Sequence, residues 1–420
     1  MKISKELEEF LDTVVELYNK GEYNKAIYNI MERLENEKLN QFEVVNLYSQ
    51  LGFGYFRSDN DILATETFQL CLTISKAIKD KYHEAYSLHY LGTLLSTEPT
   101  LDRANEYLQK ALKIRREIKD KLGESATLNN LGNVYLYIGN YSEALRFYQE
   151  SVMIKRTQPN ELGLSLGINN MGEIYARMGE IARAMRLFKK AIKYAESSGS
   201  LYSILSSKLN LCEQYINSGE FENAHGILEV INDKIKSLKW QNLQTWQNYY
   251  LYTLYYAESY KPVDARIWFE KLKSLTERLS DQHNRLKVFK IDAICFSRAN
   301  QWKLAEKAWR KVLEMSDEIN DFIIRIDARL ELAAVLLNLE SFAEAINYTI
   351  EAFEIAEKLE LLPRAAHTLI KLLLKDRERL SKQYELLERS LSLVKPDTSV
   401  DNAEQIKEYL EELLVLLPQT

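Results

Sequence analysis

Residues that interrupt a helix are scarce in this chain: 14 glycines and 6 prolines among 420 residues. A β-rich or alternating α/β protein of this length needs far more turn residues, so the scarcity points to long helices joined by short connections. Cysteine is scarcer still. Cys71, Cys212 and Cys295 lie far apart, with none of the spacings that hold zinc or run a redox cycle. They imply a reducing compartment and no disulfide framework. No apolar run approaches the roughly 18 residues a membrane-spanning helix requires. The opening segment, MKISKELEEFLDTVVELY, is an amphipathic helical pattern with acidic side chains, not the basic-then-apolar order of a signal peptide. A cytoplasmic protein with no membrane attachment is therefore expected. Nor is there an excess of positive charge, since 55 basic residues stand against 61 acidic ones, a formal −6. General attraction to nucleic acid is excluded on that balance.

Signatures of chemistry are missing too. No glycine loop for phosphates is present, and His83, His89, His225, His283 and His367 are scattered without a metal-ligand spacing. Acidic pairs such as Glu106 and Glu117 read as solvated helix faces. The expectation is a protein that is not an enzyme, with no metal and no cofactor.

What the chain does contain is a period. Small residues that follow an apolar one recur at Gly52, Gly92, Gly132, Gly172, Cys212, Thr253, Ala293 and Ala333, at intervals of 40 with a single 41. Three residues on, Tyr55, Leu95, Tyr135, Tyr175, Tyr215, Tyr256, Phe296 and Leu336 repeat the same slip, and so do alanines from Ala64 to Ala345. Inside one unit Leu128, Leu131, Gly132 and Tyr135 share one helix face, and Ala144, Tyr148 and Ser151 share another. Ile138-Gly139-Asn140-Tyr141 supplies the stop and turn between them. Each unit is thus a helical hairpin. Small side chains at Gly132 and Ala144 admit close helix approach, and aromatic positions such as Tyr135 make many of the 26 tyrosines packing residues.

Leu128, Leu131, Gly132, Tyr135, Gly139, Ala144, Tyr148 and Ser151, followed by Ile168, Met171, Gly172, Tyr175, Gly179, Ala184, Phe188 and Ala191, resemble the tetratricopeptide repeat. The common repeat of that family is about 34 residues. The longer unit is similar to those of kinesin light chains, Pins-type adaptors and the peptide-sensing Rap-type regulators. The resemblance implies an all-α, right-handed superhelical solenoid across 1–420. It comprises a divergent hairpin at 1–40 (Leu17, Gly21, Tyr23, Ala26, Ile30), eight clear units at 41–360, and a degenerate repeat with a C-terminal capping helix at 361–420. Pro99, Pro159 and Pro262 fall in the expected turns. Many bacterial regulators with these repeats begin with a DNA-binding helix-turn-helix, whereas residues 1–35 here read as a hairpin, so no nucleic-acid partner is implied.

In such repeats the first helix of each hairpin lines the concave groove, and the residue before the Leu-Gly pair points into it. Here that residue reads Gln50, Tyr90, Asn130, Asn170, Asn210. A carboxamide both donates and accepts, so an asparagine ladder can hold the backbone of an extended peptide. Asn46, Asn133 and Arg177 fall on the same wall, and Tyr86 with Tyr90 supplies aromatic contacts. The same asparagines can instead bond neighbouring helices within the array, and both readings stand. From Lys110 to Lys193 there are 15 basic residues against 8 acidic ones. Many of them (Arg115, Arg116, Lys155, Arg156, Arg183, Arg186, Lys189, Lys190) lie on second helices and read as a solvated face; any that border the groove favour an acidic ligand. The implied function is a scaffold that binds a peptide segment of a protein partner. The alternatives are a peptide-sensing regulator of Rap type, and a self-associating array in which Ile406, Tyr409, Leu410, Leu413 and Leu414 dock between chains. Monomer and homodimer both remain open.

Overall fold

The computed structural model describes residues 3–361, except 97–99, 158–159, 240–241, 280–281, 320 and 360, together with residues 364, 365 and 368. The expected degenerate repeat and C-terminal helix lie almost wholly outside the described residues, as do Pro99 and Pro159.

Among the described residues every regular element is a helix, and consecutive helices pair as hairpins. The first joins α1 (Lys5–Asn19) to α2 (Tyr23–Asn36). Then come α3 (Gln41–Arg57) with α4 (Asp61–Ala77), α5 (Lys81–Leu94) with α6 (Leu101–Glu117), and α7 (Lys121–Ile138) with α8 (Tyr141–Arg156). They are followed by α9 (Glu161–Arg177) with α10 (Ile181–Ser198), α11 (Leu201–Asn217) with α12 (Phe221–Leu238), and α13 (Leu243–Glu258) with α14 (Pro262–Leu279). The last two are α15 (Gln282–Arg298) with α16 (Trp302–Ile319), and α17 (Phe322–Asn338) with α18 (Phe342–Lys358). The protein has the all-α repeat fold expected from its period. Pro262 opens α14 instead of sitting in the turn, which the first helical position tolerates because its amide needs no intrahelical partner.

The connections follow from local chemistry. α7 stops where Gly139 adopts φ 84°, and Asn140 then caps α8 by accepting from the Glu143 amide. Asn40 and Glu43 form a reciprocal capping box at the start of α3. Within a hairpin the small residue of the first helix faces a large side chain of the second. A Cβ added to Gly132 would lie 2.5 Å from the Tyr148 ring, one on Gly172 2.7 Å from Phe188, and one on Gly52 2.7 Å from Phe68. Leu101, Leu108 and Leu112 of α6 and Phe147 of α8 close a core around Leu128, Leu131 and Val134 of α7.

Two compact units divide the chain, residues 1–163 and 164–420. In the first, α3 packs on α1 and α5, and α5 on α7; in the second, α13 packs on α11 and α15, and α15 on α17. First helices therefore touch one another as well as their own second helices, and in each unit they form one wall.

Candidate peptide-binding faces

The wall of the first unit carries the residues the sequence singled out on α3, α5 and α7. Tyr90 stacks on Phe68 with ring centroids 4.9 Å apart, and Phe53, Phe56 and Tyr86 surround it at 5.8, 5.4 and 4.8 Å. Burial pushes the phenols of Tyr86 and Tyr90 above the usual range, so both rings stay neutral. Gln50 is half-buried, and its backbone carbonyl accepts from the Tyr18 hydroxyl at 2.6 Å. Asn46 turns back on its own helix, donating to the Phe42 carbonyl at 2.8 Å. Asn133 accepts from the Tyr148 hydroxyl at 2.6 Å, which ties α7 to α8.

Asn130 sits at the end of a buried polar chain. Arg115 donates to the Gly123 carbonyl and, at 2.6 Å, to Thr127 Oγ1; Thr127 in turn donates to the Gly123 carbonyl at 3.0 Å. With its proton committed, Thr127 Oγ1 is the acceptor for His89 Nδ1–H at 3.3 Å. His89 Nε2 is then the acceptor for Asn130 Nδ2 at 3.4 Å, and the same Nδ2 donates to Thr93 Oγ1 at 2.7 Å. Burial holds the His89 imidazole well below the usual histidine range, and the Arg115 cation adds to the effect. Both amide protons of Asn130 are spent on α5, while its Oδ1 has no hydrogen bond among the described residues. His89 and Thr93 were not legible as partners, because the contact depends on how α7 slides along α5.

Arg115 and Lys155 correct the reading of a solvated outer face. Arg115 is buried, turned inward onto Thr127, and Lys155 is buried as well, its ammonium pushed down to about 8 by desolvation.

In the second unit the wall is held differently. Asn210 is engaged at both ends: its Nδ2 donates to Asn169 Oδ1 at 3.2 Å and its Oδ1 accepts from Gln247 Nε2 at 3.1 Å. Asn169, one residue before the position the repeat pattern selects, is thus the partner; Asn170 lies half-buried beside it on α9. Arg177 is paired with Glu173 at 3.0 Å. Further along, charge replaces carboxamide. Arg298 binds Glu258 at 3.1 Å and Glu331 at 2.8 Å, and Asp327 binds Lys290 and Arg364, each at 2.8 Å.

No group of three or more potential metal ligands is found among the described residues, and no helix among them is long and apolar enough to cross a membrane. The cysteines are all free thiols, and burial pushes Cys71 up to about 11 and Cys295 up to about 12.

Residues 100–157 and 168–197 match models of the tetratricopeptide repeat. No curated protein matches the chain. Among solved structures, the apo form of RapI is similar at 15% identity and a TM-score of 0.61, covering 84% of this chain and 98% of its own. A Rap protein complexed with competence and sporulation factor gives 15%, 0.59, 90% and 99% in the same order. The apo form of the quorum sensor NprR from B. thuringiensis gives 15%, 0.58, 83% and 97%. Likeness at this level of identity establishes the fold.

Proposed function

We propose that this chain, a tetratricopeptide-repeat protein, is a protein-interaction scaffold that holds a peptide segment of a partner against the first-helix wall of its first unit. The observation that supports this reading most is Asn130 Oδ1, an acceptor left over after the amide protons are committed to His89 and Thr93. A backbone N–H of an extended segment is its natural donor, and such recognition makes little demand on the segment's sequence. On α5, Tyr90 lies edge-on to His89 and against Tyr86, and both rings are partly exposed apolar surface; Gln50 carries a carboxamide one hairpin earlier. Asn46 and Asn133 shape this wall from behind, through bonds to Phe42 and Tyr148. The second unit presents a face of its own at Asn170 and Arg177, with Asn210 fixing helix register beneath it. The free thiols suit the cytoplasm, and burial keeps them protonated and poor as nucleophiles, so no catalytic role belongs to the proposal.

The test is capture of partner proteins by the full chain. Asn130→Ala is expected to weaken capture about fivefold to tenfold, the value of one hydrogen bond to a ligand. Asn210→Ala is expected to lower stability while leaving capture unchanged. If Asn130→Ala combined with Tyr86→Ala captures as well as the parent, with the helical circular dichroism intact, the reading fails.

A second reading is a regulator that senses a short peptide. It is favoured by the extent of the likeness to the Rap and NprR structures, which runs through 97–99% of their length. Small-angle scattering with a library of short synthetic peptides separates the two: a regulator changes its radius of gyration on binding, and a rigid scaffold does not.

A further inference from the structure

Exposed apolar side chains scattered singly over a surface need no explanation. Here several of them recur at one place in the repeat. The second residue of the first helix is an exposed large apolar residue in successive hairpins: Tyr82 is 52% exposed, Leu122 60% and Leu162 41% in the first unit. In the second unit Tyr202 holds the same position on α11, and Leu243, which opens α13, is exposed too. Tyr82 is steadied by Tyr86, ring centroids 6.4 Å apart, and by the His83 ring edge-on at 5.2 Å, and still leaves half its surface exposed. The column lies at the rim where α4 and α6 end and α5 and α7 begin.

Charge at this rim is arranged by local bonding. The two turns read Lys79-Asp80-Lys81-Tyr82 and Lys119-Asp120-Lys121-Leu122. Asp80 is committed inward, accepting from the Tyr82 and His83 amides and pairing with the His83 ring at 2.7 Å. Asp120 caps Gly123 and lies 3.7 Å from Arg115. Lys81 and Lys121 bind Glu84 and Glu124, each at 2.8 Å. Among the described residues Lys76, Lys79 and Lys119 enter no ion pair, and of the acids of the two turns Glu117 alone is left outside one. Unpaired charge beside the exposed apolar column is therefore mainly positive.

We infer that this rim docks an acidic segment of a partner whose apolar side chains seat on Tyr82 and Leu122. Negative charge answers Lys76, Lys79 and Lys119, and the spacing of the hairpins sets the motif. α5 and α7 touch directly through Asn130 and Thr93, so their axes are about 8–10 Å apart. An extended polyproline-type segment returns a side chain to the same face every three residues, after roughly 9 Å. Apolar residues at every third position, with acidic residues between, fit two neighbouring hairpins at once. This assignment rests on the scaffold reading and adds to it the chemistry of the segment.

Fluorescence anisotropy on the full chain tests it, with four labelled synthetic peptides. One alternates Glu pairs with Leu at every third position; the others cluster the Leu residues, replace Glu by Lys, or replace Leu by Ser. The first is expected to bind, more weakly as salt rises, and the other three at least tenfold less well. Tyr82→Ser with Leu122→Ser, and separately Lys79→Glu with Lys119→Glu, are each expected to weaken binding tenfold or more. All four side chains are exposed, so the fold is retained and circular dichroism checks it. Equal binding by either double variant, preference for the Lys peptide, or no binding by the Glu/Leu peptide overturns the rim assignment. Asn130→Ala keeps the two proposals apart: if it weakens the peptide while the rim variants do not, the rim fails and the scaffold reading stands.

Discussion

A glycine facing an aromatic ring lets the two helices of a hairpin close, and its replacement sets two effects against each other. Gly to Ala in a helix interior gains about 1 kcal/mol of propensity. At Gly132 the new methyl would meet the Tyr148 ring at 2.5 Å, and overpacking of that kind costs about 1–3 kcal/mol. Gly132→Ala is therefore expected to destabilise by about 1 kcal/mol. At Gly226, within α12, nothing lies within 4 Å of an added Cβ, so Gly226→Ala is expected to stabilise by about 0.5–1 kcal/mol. Urea midpoints of the two variants check both signs. His89 gives a prediction in pH. Its folded value lies well below the ordinary one, so as pH falls through about 6.5 the unfolded chain binds a proton that the folded chain refuses. Stability is expected to decline from pH 7 to pH 5, with the contribution fully present above the unfolded value. His89→Gln, which keeps a polar side chain without the titration, flattens that decline; an unchanged slope sinks the assignment.

Between helices, the walls of the two units are bonded by different chemistry. The first uses hydroxyl, carboxamide and a neutral imidazole; the second, from α13 onward, uses the buried triad of Glu258, Arg298 and Glu331. Removing the cation from a buried pair strands the acids and costs roughly 3–5 kcal/mol. Arg298→Met is expected to destabilise by that order. Chemical unfolding of the variant beside the parent measures it. The hairpins were legible from sequence because Gly132, Tyr135 and Ala144 recur at the same register in unit after unit. The wall was legible only in part. Gln50, Tyr90, Asn130, Asn170 and Asn210 do fall on first helices, but their partners are set by the slide of one helix along the next. Asn130 meets Thr93 and Asp327 meets Lys290, each 37 residues away rather than 40, and a period of 40 carries no trace of that offset. Nor does it show that Arg115 and Lys155 turn inward, since their charge alone places them in solvent.

At the scale of the molecule, one contact in the second unit spans 188 residues. Arg364 Nη1 donates to the Ala176 carbonyl at 3.3 Å and to the Arg177 carbonyl at 3.4 Å, while Nε and Nη2 hold Asp327 at 3.2 and 2.8 Å. These carbonyls lie in the last turn of α9, at the negative end of its dipole, where a cation is favoured; the Ala176 carbonyl also accepts from the Gly179 amide. Four hairpins separate α9 from Arg364, and the contact requires that the stack within this unit curl until its ends meet. Arg364→Ala removes the tie yet leaves Asp327 paired with Lys290 at 2.8 Å, so the helices are expected to persist while the curl relaxes. Spin labels on exposed Lys189 of α10 and Glu354 of α18 report the change directly. Their distance distribution is expected to lengthen and broaden in the Arg364→Ala variant. Arg364→Lys, which keeps the charge but not the fork that reaches Asp327 and the carbonyls together, is expected to fall between. Identical distributions in all three proteins would mean that the curl is set by hairpin packing alone, and that Arg364 follows it without holding it.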